Sequence, residues 1–322
     1  MTVMLTMTSD AAIDDPSSGS GIRRTVGTYV DSVVSRPLFW LLPALLFITV
    51  FQLYPVFEVF RMSLTDMSLI TSEESYVWLE NYRRLLGSER FYSTLRVTGL
   101  YSIASIILQI GLGLGLALAI DYGVRRGLRG PLFTRVVVLS AWIVPGIIIG
   151  LVWKIMLLET NVGVVNNALG RLGFGIVPFL SDAQIAVVSV ITAGAWRGTA
   201  FSMIMFYAGL KRVPDELYRA AKIDGAGPLA RFRYVTLPQL KSVVFVVTIL
   251  VTIYSLNSFD LIFALTNGGP GRATEVIALS MYKSAFNSYE MGMAAATAVV
   301  LLMVTLVVTA VYFRLFDISE EI

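Results

Sequence analysis

The chain has 322 residues, of which 56% are hydrophobic and 15% charged, with a mean hydropathy of +0.74 and a formal net charge of +3. A soluble domain carries about 25% charged residues, so this composition cannot supply the polar surface of a soluble fold. Cysteine and histidine are both absent, which removes the usual ligands of zinc, haem and iron–sulfur sites, thiol nucleophiles, imidazole bases and any disulfide framework.

Residues 1–36 open with MTVMLTMTSDAAIDDPSSGSG, where Asp10, Asp14, Asp15 and Pro16 interrupt the apolar core that a secretory signal needs. A disordered cytoplasmic tail is expected there. Apolar runs of about 20 residues, the length that crosses roughly 30 Å of hydrocarbon, follow at 37–60, 97–120, 136–157, 183–210, 243–265 and 291–313. The run VIALSMYKSAF at 276–286 is too short to cross and is expected as an interfacial helix. No internal repeat is evident.

Within the second run, GLGLGLALA puts Gly111 and Gly115 on one helical face, where they would let a neighbouring helix approach; the alternative is mere tolerance of glycine in a membrane helix. Pro145 is expected to kink the third run. Arg197 in GAWRGTAFSMI and Asp260 in LNSFDLIFAL are charges inside apolar runs. Each costs about 2.5–3.5 kcal/mol at mid-membrane on insertion scales, which marks both as functional candidates. A bridge from Arg197 to Asp260 or to a partner subunit is the structural alternative, and Lys154, near a run's outer end, can snorkel.

Basic residues near the run ends fall unevenly. Arg23, Arg24, Arg36, Arg125, Arg126, Arg129 and Arg135 share a side with Lys211, Arg212, Arg219, Lys222, Arg231, Arg233, Lys241 and Arg314, fifteen against eight opposite. The excess predicts that both termini and the 211–241 loop are cytoplasmic.

That loop contains ELYRAAKIDGAGPLARFRYVTLPQLK. Pro214 pre-sets a first helical turn, and Asp215 and Glu216 suit the positive end of the helix dipole. Leu217, Ala220, Ala221 and Asp224 follow at spacings of three and four, giving one face with small side chains at its centre. Gly225 is expected to stop the helix in a left-handed conformation. Gly227-Pro228 then restarts the chain, and Leu229, Phe232 and Val235 make a second apolar stripe ending at Pro238. Helices this short are marginal alone, so the pair needs something to pack against. Arg219, Lys222, Arg231 and Arg233 flank the small face, as suits a cleft on a soluble partner; anionic lipid headgroups are the alternative.

The run Ala220-Ala221, three residues, Gly225, nine residues, Val235, one residue, Leu237-Pro238 resembles the EAA loop of binding-protein-dependent ABC importers. AGLKRVPDELYRAAKIDGAGPLARFRYVTLP is similar to their carbohydrate-importer branch, as are LTNGGPGRATEVI at 265–277 and WLENYRRLL at 78–86. The resemblance implies an all-α polytopic membrane protein with six transmembrane helices of the type I permease fold and a cytoplasmic coupling helix. It divides the chain into a tail at 1–36, a transmembrane permease domain at 37–316 with the coupling loop at 211–241, and a C-terminal tail at 317–322. The implied partners are a second permease subunit, two ATPase subunits, an extracytoplasmic binding protein, the lipid bilayer and a carbohydrate substrate, with no nucleic acid. ATP and Mg would be held by the ATPase subunits, since this chain has no GxxxxGK[ST] loop. The implied location is a bacterial inner membrane, and the chain would be a pore subunit, not an enzyme.

Residue by residue, the resemblance implies ATPase coupling through Glu216, Arg219, Ala220, Ala221, Asp224, Gly225, Leu237 and Pro238. Two departures stand out: Arg219 occupies the place of the family's glutamate, and Val235 that of an isoleucine. The substrate path falls on Arg197, Gly198, Phe201, Tyr254, Ser255 and Ser258, joined by Asn257 and Asp260. Aromatic faces suit pyranose C–H groups, and hydroxyls and amides suit sugar hydroxyls. Arg197 would also suit a carboxylate or phosphate. The outward loop Asn267, Gly268, Gly269 and Pro270 is placed to meet the binding protein, a plain turn being the alternative. No outer loop, 158–182 included, is long enough for an added domain. The rival readings are an ion-coupled secondary transporter, which usually shows inverted repeats, and a membrane-embedded carboxylate enzyme, for which no facing acid pair is evident.

Overall fold

The computed structural model describes residues 37–71 and 74–316, so the expected tails at 1–36 and 317–322 lie outside the described residues. The chain divides into two units at Glu58 and Val59. The first contains α1 (Pro37–Ile48) and a π-helical turn (Thr49–Leu53), which leads into α2 (Tyr54–Ser63) across the division. Its apolar side chains, Trp40, Phe47 and Phe51 among them, are exposed within the chain, as suits a helix facing hydrocarbon.

The second unit runs through α3 (Glu80–Leu86), α4 (Glu89–Arg125), α5 (Gly130–Ile143), α6 (Gly146–Met156), α7 (Val164–Arg171) and α8 (Ala183–Leu210). The loop helices α9 (Asp215–Ile223), α10 (Pro228–Arg231) and α11 (Leu237–Gln239) follow, then α12 (Lys241–Leu256), α13 (Asp260–Leu265), α14 (Ile277–Phe286) and α15 (Met291–Leu315). Among the described residues there is no β-strand, only the isolated bridges Thr65–Tyr76 and Ser68–Glu290. Asp182 starts α8 by accepting the backbone N–H groups of Gln184 and Ile185, both at 2.9 Å. The Thr98 hydroxyl accepts the first N–H of α14, from Ile277, at 2.9 Å.

Among the described residues, four helices are individually long and apolar enough to cross a membrane: Trp40–Ser63, Glu89–Arg125, Ala183–Leu210 and Met291–Leu315. Two broken pairs bring the possible total to six. One is α5 with α6, bent by 104°; the other is Pro228–Gln239 with Lys241–Leu256, bent by 69°.

Three expectations change. The third run does not merely kink at Pro145: Val144 and Pro145 are extended (ψ 131° and 139°), and α6 starts afresh in a new direction. Proline lacks the N–H that would continue the helix and disfavours helical backbone in the residue before it. The fifth run is also broken. α12 stops at Leu256, where the Asn257 side chain donates back to the Ile253 carbonyl at 2.8 Å, and α13 begins at Asp260.

The third change concerns the glycines of α4. Gly111 and Gly115 face open space, whereas a Cβ on Gly113 would lie 2.4 Å from Ser202 Cβ and 2.9 Å from Met203 N. At about 100° per residue, Gly113 sits roughly 200° round from both neighbours, on the face it shares with the buried Gln109 and Ala117. That face meets α8, and Ala117, Ile120, Met203, Phe206 and Leu210 pack there with Leu240, Val247 and Val251. A second cluster around Ile149, Val190, Leu261, Ile262, Leu265, Val276 and Leu279 joins α6, α8, α13 and α14.

Candidate functional site

The two broken runs meet. A Cβ on Gly146, at the start of α6, would lie 1.9 Å from Asp260 Oδ2 and 2.5 Å from Arg197 Nη1. One turn on, a Cβ on Gly150 would lie 2.7 Å from both the Ala264 Cβ and the Leu261 carbonyl. Only hydrogen in place of Cβ lets α6 lie this close against α13. The first turn of α13 carries Asp260, whose Oδ1 accepts the Leu261 N–H at 2.9 Å. Arg197 Nη1 faces both oxygens of that carboxylate at 3.4 and 3.5 Å, a long pairing between partly exposed groups.

Above this junction lies a cavity of about 480 Å³. α8 contributes Arg197, Gly198 and Phe201; α12 contributes Tyr254 and Ser255; the unwound stretch after it contributes Asn257 and Ser258, with Asp260 beyond. The eight residues expected on the substrate path therefore share one cavity. Tyr254 is exposed to it and meets Phe201 edge-on at 6.0 Å, while the Trp142 ring lies tilted against Phe201 at 5.9 Å. Ser255 Oγ and Arg197 Nε are buried and have no hydrogen-bond partner.

The wall residues that were not anticipated include Tyr101 and Gln109 on α4 and Trp142 on α5. The Tyr101 hydroxyl lies 3.1 Å from Ser258 Oγ. Gly194 and Gly198, one turn apart on α8, make room for the α4 side chains. A Cβ on Gly194 would meet the Tyr101 hydroxyl at 2.4 Å, and one on Gly198 would meet Gln109 Oε1 at 2.0 Å. Gln109 was the readable signal, an amide within the apolar run SIILQIGLG.

At the 211–241 loop, Pro214 precedes α9, Gly225 adopts φ +77° and Gly227 caps a helical turn opened by Pro228. A π-helical turn, Phe232–Thr236, then joins α10 to α11, where Leu237 and Pro238 are exposed. No residue of α9 is buried. Glu216, Arg219, Ala220 and Asp224 are exposed and Ala221 half-buried. Large apolar side chains also point outward here, notably Ile223 at 87% and Leu229 at 78% exposure, with Tyr234 beside them. Of the expected second stripe, Phe232 and Val235 are half-buried while Leu229 turns away. Arg219 donates to Glu216 Oε1 at 2.6 Å, so the unusual cation is matched within its own helix.

The loop after α13 is braced from within. Asn267 (φ +48°) and Gly268 (φ +82°) are left-handed, and the hydroxyl of buried Thr274 donates to the Gly269 carbonyl at 2.8 Å. Glu275, 1% exposed, receives Arg90 at 2.9 Å and Lys283 at 3.0 Å; Lys283 also donates to the Asn267 carbonyl at 2.9 Å. Burial pushes the Glu275 carboxyl up, but Lys283 and Arg90 outweigh it and hold the group below its ordinary value. Pro270, between these anchors, is half-buried. Among the described residues no group of three or more His, Cys, Asp or Glu side chains could hold a metal ion.

Residues 109–319 match the family described as "Binding-protein-dependent transport system inner membrane component". The chain belongs to this family. It is 32% identical over 287 residues to the probable ABC transporter permease protein YurN of Bacillus subtilis (strain 168), a match covering 88% of this chain and 97% of that one. It is 36% identical over 277 residues to the trehalose/maltose transport system permease protein MalF of Thermococcus litoralis, covering 85% and 91%. Its backbone is similar to a chain in the crystal structure of a bacterial ABC transporter involved in the import of the acidic polysaccharide alginate. That match has a TM-score of 0.76 at 20% identity and covers 93% and 98% of the two chains, so it bears on the fold. As an inner membrane component of such a system, the protein is a permease subunit and not an enzyme.

Proposed function

We propose that this permease subunit forms half of the translocation pore of an ATP-driven importer for a sugar or sugar derivative delivered by an extracytoplasmic binding protein. The observation that carries the reading is the α9–α11 hairpin, which leaves Leu217, Ile223, Leu229 and Tyr234 exposed among the described residues. An exposed apolar patch of this kind marks an interaction site. In this reading it is the coupling element, Glu216, Arg219, Ala220, Ala221, Asp224, Gly225, Leu237 and Pro238 included, and its occupant is one of two ATPase subunits that hold ATP and Mg. A second, homologous permease completes the pore. Counting each broken pair as one span gives six crossings, with both termini cytoplasmic and the permease domain at 37–316.

The cavity suits the substrate class. Tyr254 offers an open aromatic face, and Ser255, Asn257, Ser258 and Gln109 offer hydroxyl and amide groups. Arg197 and Asp260 are the charged residues of its lining and face each other, so the wall carries no net charge. A neutral sugar fits this better than an anion. On the outer side, the braced loop with Asn267, Gly268, Gly269 and Pro270 receives the binding protein. Nucleotide-driven closure of the ATPases moves the hairpin and switches the cavity between inward and outward access, a rigid-body exchange between two states.

The test is uptake into vesicles holding the assembled transporter. Uptake should require internal ATP and the binding protein and survive collapse of ion gradients. Uptake driven by an ion gradient without ATP would overturn the proposal.

A further inference from the structure

The last turn of α4, the residue that follows α8 and the first turn of α9 meet in one charged cluster. Asp121, largely buried, accepts from Arg125 Nε at 2.6 Å and from Lys211 Nζ at 2.8 Å. Arg125 reaches onward, its Nη1 donating to Asp215 Oδ1 at the start of α9. The same guanidinium lies 5.3 Å from the centre of the Tyr218 ring, one turn along α9. Lys211 and Arg135 each lie 5.2 Å from the centre of the Tyr207 ring, which brings α5 into the cluster. Arg125 also holds the Asp215 carboxyl below its ordinary value.

What makes the cluster informative is how little else holds α9. None of its residues is buried. Among the described residues, two side-chain hydrogen bonds tie it outward: Asp215 to Arg125, and the Tyr218 hydroxyl to Thr236 Oγ1 at 3.0 Å. The first leads to α4 and, through Asp121 and Lys211, to α8. The second leads to buried Thr236, and from there by way of α11 to α12. α4, α8 and α12 are the three long helices that wall the cavity.

An exposed ion pair adds little stability, so the Arg125 bridge acts through position. Its planar fork can hold two carboxylates in a fixed relation, which a lysine's point charge cannot. At about 1.5 Å per residue, Asp121 lies roughly 18 Å along α4 from Gln109, and Lys211 roughly 21 Å along α8 from Arg197. Close packing at Gly113 and Ser202 locks the two helices together between those levels. A displacement of α9 therefore reaches the cavity wall as motion of the α4–α8 pair.

Resting on the transport reading above, we propose that Arg125 is the positioning residue that transmits movement of α9 to the two helices carrying Gln109 and Arg197. Cutting the bridge uncouples the motor from the cavity without disabling the motor.

The test uses the complete transporter in vesicles, with this chain, its partner permease, the ATPases and the binding protein. R125A, D215N and the double variant are compared for uptake per ATP hydrolysed, basal hydrolysis and yield of assembled complex. Each single variant should lose at least about fivefold in uptake per ATP, the lower end of site-to-site coupling. The double should lose no more than the worse single, because both cut one bridge; basal hydrolysis and yield should hold. A normal ratio in D215N, whose side chain is mostly exposed and whose folding is not at risk, would overturn the proposal, as would losses that multiply in the double. ATP-dependent uptake by the wild type is the control that separates this failure from failure of the transport reading.

Discussion

Gly113→Ala isolates the contact on which the α4–α8 pair depends. The new methyl would sit 2.4 Å from Ser202 Cβ and 2.9 Å from Met203 N. Carbon–carbon contacts are comfortable from about 3.5 Å, so the helices must part by roughly 1 Å. No rotamer relieves this, because the obstacles are a Cβ and a backbone nitrogen. A gap of that size forfeits a quarter to a half of each dispersion contact along its length, and Ala117, Met203 and Phe206 lie on the same seam. Overpacking of this kind costs about 1–3 kcal/mol. Gly111→Ala and Gly115→Ala meet nothing within 4 Å inside this chain, so neither carries this overpacking cost at the α4–α8 seam. Unfolding midpoints of the purified assembled transporter compare the three. Equal midpoints for Gly113→Ala and Gly111→Ala would refute the packing argument.

Arg197→Ala should impair uptake while leaving assembly intact; because it strands Asp260, the double Arg197→Ala/Asp260→Ala should assemble at least as well as the single. Complex yield and uptake read the two effects apart. Gly146→Ala would place a methyl 1.9 Å from Asp260 Oδ2 and should abolish uptake, with Gly170→Ala, which meets nothing within 4 Å, as the silent control. Glu275→Gln leaves Arg90 and Lys283 without their shared carboxylate and should weaken binding-protein stimulation of ATP hydrolysis about tenfold at unchanged maximal rate, seen as a shift in the binding-protein concentration needed. Because the folded-state pKa of Glu275 lies below the ordinary 4.5, its contribution is present above that value and is lost only as pH falls through the lowered one. Stimulation in the wild type should therefore hold down to about pH 5.

The loop between the fourth and fifth runs was legible because its punctuation is local. Gly225, Gly227 and Pro228 act on their own backbone, and their conformations follow from residue type alone. The fourth run was legible for a similar reason, being bounded by the Asp182 cap and Leu210. The breaks at Pro145 and Asn257 were not. A proline in an apolar run permits a kink or a full break, and the choice was made by Gly146 and Gly150 seating α6 against α13. Periodicity likewise places Gly113 opposite Gly111 and Gly115 but cannot say which face meets a neighbour. The cavity residues on α8, on α12 and after it were assigned from resemblance, whereas Tyr101 and Trp142 look like ordinary aromatic packing until the fold turns them to the void.

Gly194 and Gly198 act as two notches in one rod, each sized to a single side chain from the opposite wall. Filling either notch by one methyl would push Tyr101 or Gln109 into the void and narrow its bore, more than about three helical turns from Lys211 and the charged junction. In the transport reading proposed above, girth and drive are thus set at separate addresses on the same helix, so the solute admitted can be retuned while the stroke that moves it is left alone.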